Sequence, residues 1–126
     1  MAYRCVVSPV DESLAAIAVA REVLIETSSS GKTVSTVIWV ARSGEDLFVR
    51  SVNGDGGRWY QRVLANPEVA LVADDVRVEF LAMPAADPES VARASAGLAA
   101  KYSGRSLERM LDPGVLHTTM RLAPRR

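Results

Sequence analysis

The sequence contains one cysteine, Cys5, and one histidine, His117. No disulfide can form within it. The usual zinc ligand sets cannot be assembled from one residue of each type. A single cysteine fits a reducing compartment. Neither charge is in excess: Lys and Arg number 15, and so do Asp and Glu. Nucleic-acid binders carry a basic surplus, so the balance argues against that class of partner. No apolar run approaches the roughly 18 residues that span a bilayer. The run at residues 14–20 is short and follows Asp11 and Glu12. A secretion signal has a basic start and a longer apolar core instead. The run is read as a soluble helix, with a cytoplasmic location and no membrane partner expected. Repeats of 20–50 residues and low-complexity segments are also missing.

What is present suits one domain over residues 1–126, with 48% hydrophobic and 24% charged residues and enough length for a real core. Ser8, Pro9 and Asp11 predict a helix start, as cap, first helical residue and acid at the positive dipole end. That helix is expected to end near Ala20. Residues 23–27 predict a strand by their β-branched content, and 28–32 a turn. The strongest strand covers 33–41, with Val34, Thr36, Ile38 and Val40 on one face and Thr33, Ser35, Val37 and Trp39 on the other. Residues 42–46 turn it back onto a strand at 47–52, which predicts a hairpin. A loop at 53–57 leads to a helix at 58–65, stopped by Asn66-Pro67. Strands follow at 69–73 and 76–83. Asp87-Pro88 caps and opens a helix to about Tyr102. A helical piece at 105–111, a turn at 112–114, a last strand at 115–122 and a basic tail at 124–126 complete the chain. Short turns between neighbouring strands mean antiparallel pairing. About six such strands with a few helices predict a mainly β, α+β barrel or sandwich.

The segment RSVNGDGGRWYQRVLANP, residues 50–67, carries the chemistry. Three glycines sit between a strand and a helix, with an arginine at either side. Glycine lets the backbone approach a ligand closely and take positive φ. A helix N-terminus offers free N–H groups to an anion. A cation there opposes the helix dipole, so Arg58 implies a partner anion. Asn53 to Arg58 is therefore a candidate anion cradle, with a plain connecting turn as the alternative. Trp39 and Trp59 are candidates for a flat wall against a ring. For Trp59 and Tyr60 the alternative is a core or interface anchor. Arg77 and Glu79 share a strand face and read as a structural ion pair. His117 reads as structurally satisfied. No catalytic acid–base constellation emerges.

The order Asn53-Gly54, Gly56-Gly57, Trp59-Tyr60, Leu64, Asn66-Pro67, the Val69 strand and Arg77-Val78-Glu79 resembles the split β-barrel flavoproteins. That group includes pyridoxamine-phosphate-oxidase-like proteins and deazaflavin-dependent nitroreductases. The R-S-V-x-G run from Arg50 to Gly54, with G-R-W-Y after it, is similar to a poorly characterised branch. The resemblance implies an antiparallel split β-barrel of about six strands with flanking helices. It also implies a homodimer with a cofactor groove at the interface, holding FMN or an 8-hydroxy-5-deazaflavin coenzyme. Some members bind haem, and some bind no known cofactor. The implied cofactor-binding residues are Lys32, Thr33, Arg50, Ser51, Asn53, Gly54, Gly57, Arg58 and Trp59. The implied chemistry is hydride transfer to a small oxidised substrate, with the cofactor carrying the hydride. The alternatives are a non-catalytic dimer carrying a small ligand or haem, and a cofactor-free interaction protein.

Overall fold

A computed structural model describes residues 9–125, with side chains from Glu12 onward. Cys5, the expected Ser8 cap, the Asp11 side chain and Arg126 lie outside the described residues. Helix α1 spans Pro9–Val19 and is followed by β1 (Val23–Ser29), β2 (Lys32–Ile38), β3 (Ala41–Ser43) and β4 (Asp46–Val49). A 3-10 turn at Gly54–Gly56 leads into α2 (Arg58–Ala65), β5 (Glu68–Ala73) and β6 (Val76–Pro84). Helices α3 (Pro88–Lys101) and α4 (Arg105–Met110), a second 3-10 turn at Pro113–Thr118 and β7 (Met120–Pro124) finish the chain. Among the described residues, no helix is long and apolar enough to cross a membrane.

The seven strands form one sheet in the order β2-β1-β5-β6-β7-β4-β3, antiparallel at every pairing. The strand expected at 33–41 is cut at Trp39 and Val40, which corrects the expected hairpin. Its first part, β2, pairs with β1 across a Ser30-Gly31 turn, where both residues have positive φ, as a tight hairpin turn requires. Only the short β3 pairs with β4. The cut has a geometric reason. β2 and β3 lie at opposite ends of the strand order, yet only two residues separate them. Six strand spacings in a flat sheet would cover about 29 Å. The three Cα steps from Ile38 to Ala41 reach about 11 Å. The sheet must therefore curl until its edges meet, and the fold is a split β-barrel with flanking helices.

Alternate residues of the strands fill the barrel. Ile25, Leu71, Phe80 and Met120 are buried there, with Val40 of the β2–β3 link and Ile17 of α1. α2 adds Trp59, Tyr60 and Val63 to the same core. α3 starts on Asp87, whose carboxylate accepts the Ser90 amide at 3.0 Å, with Pro88 in the first turn. It lies against β3 at Gly97, where a Cβ would sit 2.8 Å from the Arg42 carbonyl oxygen.

The last strand is shorter than the expected 115–122. Asp112 caps the second 3-10 turn, its Oδ1 accepting the Gly114 amide at 2.7 Å. The Thr118 and Thr119 hydroxyls donate to the Val115 and Leu116 carbonyls, both at 2.7 Å. These local bonds compete with a sheet ladder, so β7 starts only at Met120. His117 consequently lies on the turn and not on a strand.

Candidate functional site

The chain leaves β4 into Arg50, a fully buried side chain at 2% exposure. Its Nε donates to Thr119 Oγ1 at 2.9 Å. Nη1 donates to Ser95 Oγ at 3.1 Å and to the Met110 carbonyl at 3.0 Å. Nη2 donates to the Val91 carbonyl at 3.2 Å. All four acceptors are neutral. Burial lowers the Arg50 pKa, but a guanidinium stays charged in proteins. Arg50 thus ties the end of β4 to α3, to the end of α4 and to the segment before β7.

The glycine loop folds on itself. Ser51 is buried; its Oγ donates to the Gly54 carbonyl at 2.8 Å and its amide donates to Thr118 Oγ1 at 3.0 Å. Gly54 has φ of +63°, the left-handed region that favours glycine. A Cβ at Gly57 would collide with Ser51 Oγ. The amides of Gly54, Gly56 and Gly57 all donate within the loop, at 3.0, 3.3 and 3.1 Å. The unbonded amides lie instead in the first turn of α2, whose cap residue Gly57 offers no side chain. His117 Nε2 meets Asp55 Oδ1 at 2.8 Å and pins the loop to the second 3-10 turn.

On one side of α2 a cavity of about 290 Å³ opens between β2, the loop and α4. Val37, Trp39, Val52, Trp59 and Met110 form much of its wall. Arg50, Asn53 and Arg109 also line it. Trp39 is held from behind by Tyr102, stacked at 3.8 Å between ring centroids with planes 2° apart. Tyr102 in turn donates its hydroxyl to the Arg21 carbonyl at 2.6 Å. Lys101 Nζ donates to the Ala18 and Val40 carbonyls at 2.9 and 2.8 Å. Burial, then the charge of Arg21, pushes the Lys101 pKa down to about 8. One face of the Trp39 indole is therefore taken, and its position is fixed.

On the other side of α2 a groove of about 630 Å³ separates the helix from the β1–β2 turn. Arg58, Gln61 and Arg62 line it from the helix, and Ser28, Ser29 and Ser30 from the turn. Among the described residues, no acidic side chain lines it. Arg62 Nε donates to Thr27 Oγ1 at 2.7 Å and Nη2 to Thr36 Oγ1 at 3.4 Å. Arg58 is exposed, and no ion pair engages it among the described residues.

The residues named from the sequence thus separate. Arg50, Asn53 and Trp59 meet at the cavity, and Arg58 lies on the groove. Ser51, Gly54 and Gly57 shape the loop. Lys32 is exposed beside Gly31 of the groove. Thr33 lies in a recess with Glu26, Arg77 and Glu79. There Arg77 pairs with Glu26 at 2.9 Å and Glu79 at 3.2 Å, contacts that raise its pKa. Lys32, Arg50 and Arg58 do not converge on one site. Sequence reasoning missed Arg62, Arg109 and the three serines. One signal was available: Arg58 and Arg62 stand four residues apart on one helix, a like-charge spacing that costs helix stability.

Over residues 13–122 the chain matches the family model described as "Uncharacterized protein conserved in bacteria (DUF2255)". No curated protein matches it. Among solved structures, it is similar to a conserved hypothetical protein of Mycobacterium tuberculosis, at TM-score 0.70 and 18% identity, covering 96% of this chain and 82% of that one. It is similar to a candidate pyridoxamine 5'-phosphate oxidase of Listeria innocua, at TM-score 0.67 and 15% identity over 94% and 95% of the two chains. It is also similar to an FAD-binding protein of Mesorhizobium loti, at TM-score 0.63 and 14% identity over 95% and 91%. At these identities the likeness is one of fold.

Proposed function

The chain belongs to the DUF2255 family, and we propose that its aromatic cavity binds the ring of a flavin-type cofactor, FMN or an 8-hydroxy-5-deazaflavin. One observation carries the reading: two indoles and a buried arginine with only neutral partners border the same cavity. Its volume of about 290 Å³ is at the small end of ligand sites, which suits a ring system and leaves a tail outside. Trp39 and Trp59 would hold the ring, Asn53 and Arg109 offer donors to its polar edge, and Arg50 favours electron density nearby. A bound flavin or deazaflavin supplies hydride transfer to a small oxidised substrate. The protein's part is to orient the ring and keep water from it. The FAD-binding Mesorhizobium loti neighbour supports this cofactor class.

The working unit in this reading is a cytoplasmic homodimer. Val37, 57% exposed, pairs across the sheet with Leu24, 38% exposed, and Leu24 pairs with Val72. This apolar row on the outer barrel face reaches the cavity at Val37. A second copy covering the row would close the open side of the cavity.

Thermal melts with each cofactor test the reading. A ligand at 100 times its Kd adds about 2.7 kcal/mol of stability. The expected result is a clear rise with FMN or the deazaflavin, reduced in Trp39→Leu. No shift with either would contradict it.

A further inference from the structure

On the reading of the cavity as a ring site, we propose that Tyr102 and Lys101, where α3 ends, are positioning residues for Trp39, and that the Lys101 charge is felt at that indole. Trp39 and Val40 link β2 to β3, and neither has a partner in the sheet register. The sheet therefore does not hold the indole, and the Val40 carbonyl has no ladder donor. The end of α3 meets both needs. Tyr102, 4% exposed, stacks on Trp39 at 3.8 Å with the planes 2° apart. Lys101 Nζ donates to the Val40 carbonyl at 2.8 Å. Trp39 packs against Ala41, Leu98, Tyr102 and Met110, a cluster apart from the barrel core.

Three segments are tied together here. Arg21 Nη1 donates to the Lys101 carbonyl at 3.4 Å, and Lys101 Nζ to the Ala18 carbonyl at 2.9 Å. The Tyr102 hydroxyl donates to the Arg21 carbonyl at 2.6 Å. Lys101 Nζ lies 5.1 Å from the Tyr102 ring centroid and the Arg21 guanidinium 5.4 Å from it, both within cation–π range. A change of charge at Lys101 thus acts on one ring of a stack whose other ring walls the cavity. With its pKa at about 8, Lys101 changes charge close to neutral pH. The charged groups around it are Arg21 and Glu22 of the α1–β1 link. α1 contributes the Ala18 carbonyl, and the β2–β3 link carries no charge. α4 turns Leu107 and Met110 toward the cluster. Arg42 of β3 donates instead to the Gly44 carbonyl at 2.9 Å. Burial raises the Tyr102 pKa, so its phenol keeps the proton.

The test reads Trp39 emission without ligand and FMN affinity with it. Wild type and Lys101→Met are titrated over about 1.5 pH units either side of the Lys101 pKa. Each is measured with and without Trp59→Phe, which leaves Trp39 as the sole tryptophan. The expected result is a step in Trp39 emission centred at about pH 8, absent in Lys101→Met. A flat profile, or a step that persists in Lys101→Met, overturns the link between that charge and the indole. FMN affinity is then compared in wild type, Tyr102→Phe and Tyr102→Leu. Loss of the stacked ring should weaken FMN about tenfold in Tyr102→Leu. Tyr102→Phe keeps the ring and should bind nearly as wild type does. No weakening in Tyr102→Leu, or equal weakening in both variants, overturns the positioning role of the ring. Failure of FMN and the deazaflavin to bind wild type overturns the cavity reading instead and leaves the emission titration to decide. That titration also decides alone if melts show Tyr102→Leu to be unfolded.

Discussion

On one side of α2, Trp59 and Val63 enter the barrel core and Trp59 closes an aromatic cavity. On the other, Arg58 and Arg62 stand over a serine-lined groove with no acid among the described residues. The two arginines that flank the glycine loop divide in the same way. Arg50 is buried with four neutral acceptors, whereas Arg58 is exposed and has no ion pair among the described residues. Folding uses nearly all the hydrogen-bonding capacity of the first and none of the second. The contrast teaches that a cation's prominence in the sequence says little about its task. What the fold leaves unsatisfied is what a ligand can use.

The strongest way to break this comparison is Arg50→Met. It leaves the Ser95 and Thr119 hydroxyls and two carbonyls without their donor, so urea denaturation of the ligand-free protein should show a loss of about 3 kcal/mol or more. A loss under about 1 kcal/mol would show that its four protein partners do not depend on Arg50. Gly57→Ala comes next. Its Cβ meets Ser51 Oγ, an overpacking that costs about 1–3 kcal/mol. Adding Ser51→Ala should recover part of that loss in a double-mutant cycle. Additive losses would mean that the loop's close packing is not what requires glycine.

A smaller effect sits behind the cavity wall. Folding lowers the Lys101 pKa from 10.5 to about 8. Between those values the unfolded chain keeps a proton that the folded chain has released. Stability from this residue therefore rises with pH across that window. Melts between pH 8 and 10.5 should show the rise, and Lys101→Met should flatten it. The smallest expected effect is Arg58→Ala without ligand, within about 0.5 kcal/mol of wild type. A larger loss would show that Arg58 belongs to the architecture after all.

Much of the fold was readable locally. α2 carried its own stop in Asn66-Pro67, and Asp87-Pro88 announced α3. The break at Trp39 and Val40 was not readable, because no glycine or proline marks it. It arises from barrel closure, which depends on pairings far apart in sequence. The last strand was overextended because the Asp112 cap was read as a plain turn, whereas the bonds of Thr118 and Thr119 extend it into a helical turn. Within the site, the indoles and Asn53 stood out by type. Arg50 could not be understood from its neighbours, since its partners lie 41 to 69 residues away. Arg62 looked like an ordinary helical surface residue, and only its spacing from Arg58 set it apart.

The central claim is that the cavity between Trp39 and Trp59 takes a flavin-type ring. Titrating FMN with the protein and following the flavin's own fluorescence tests it most directly. The account predicts saturable quenching by wild type and much weaker quenching by Trp39→Leu. No quenching of FMN, and none of the deazaflavin, at protein concentrations up to about 1 mM would contradict it.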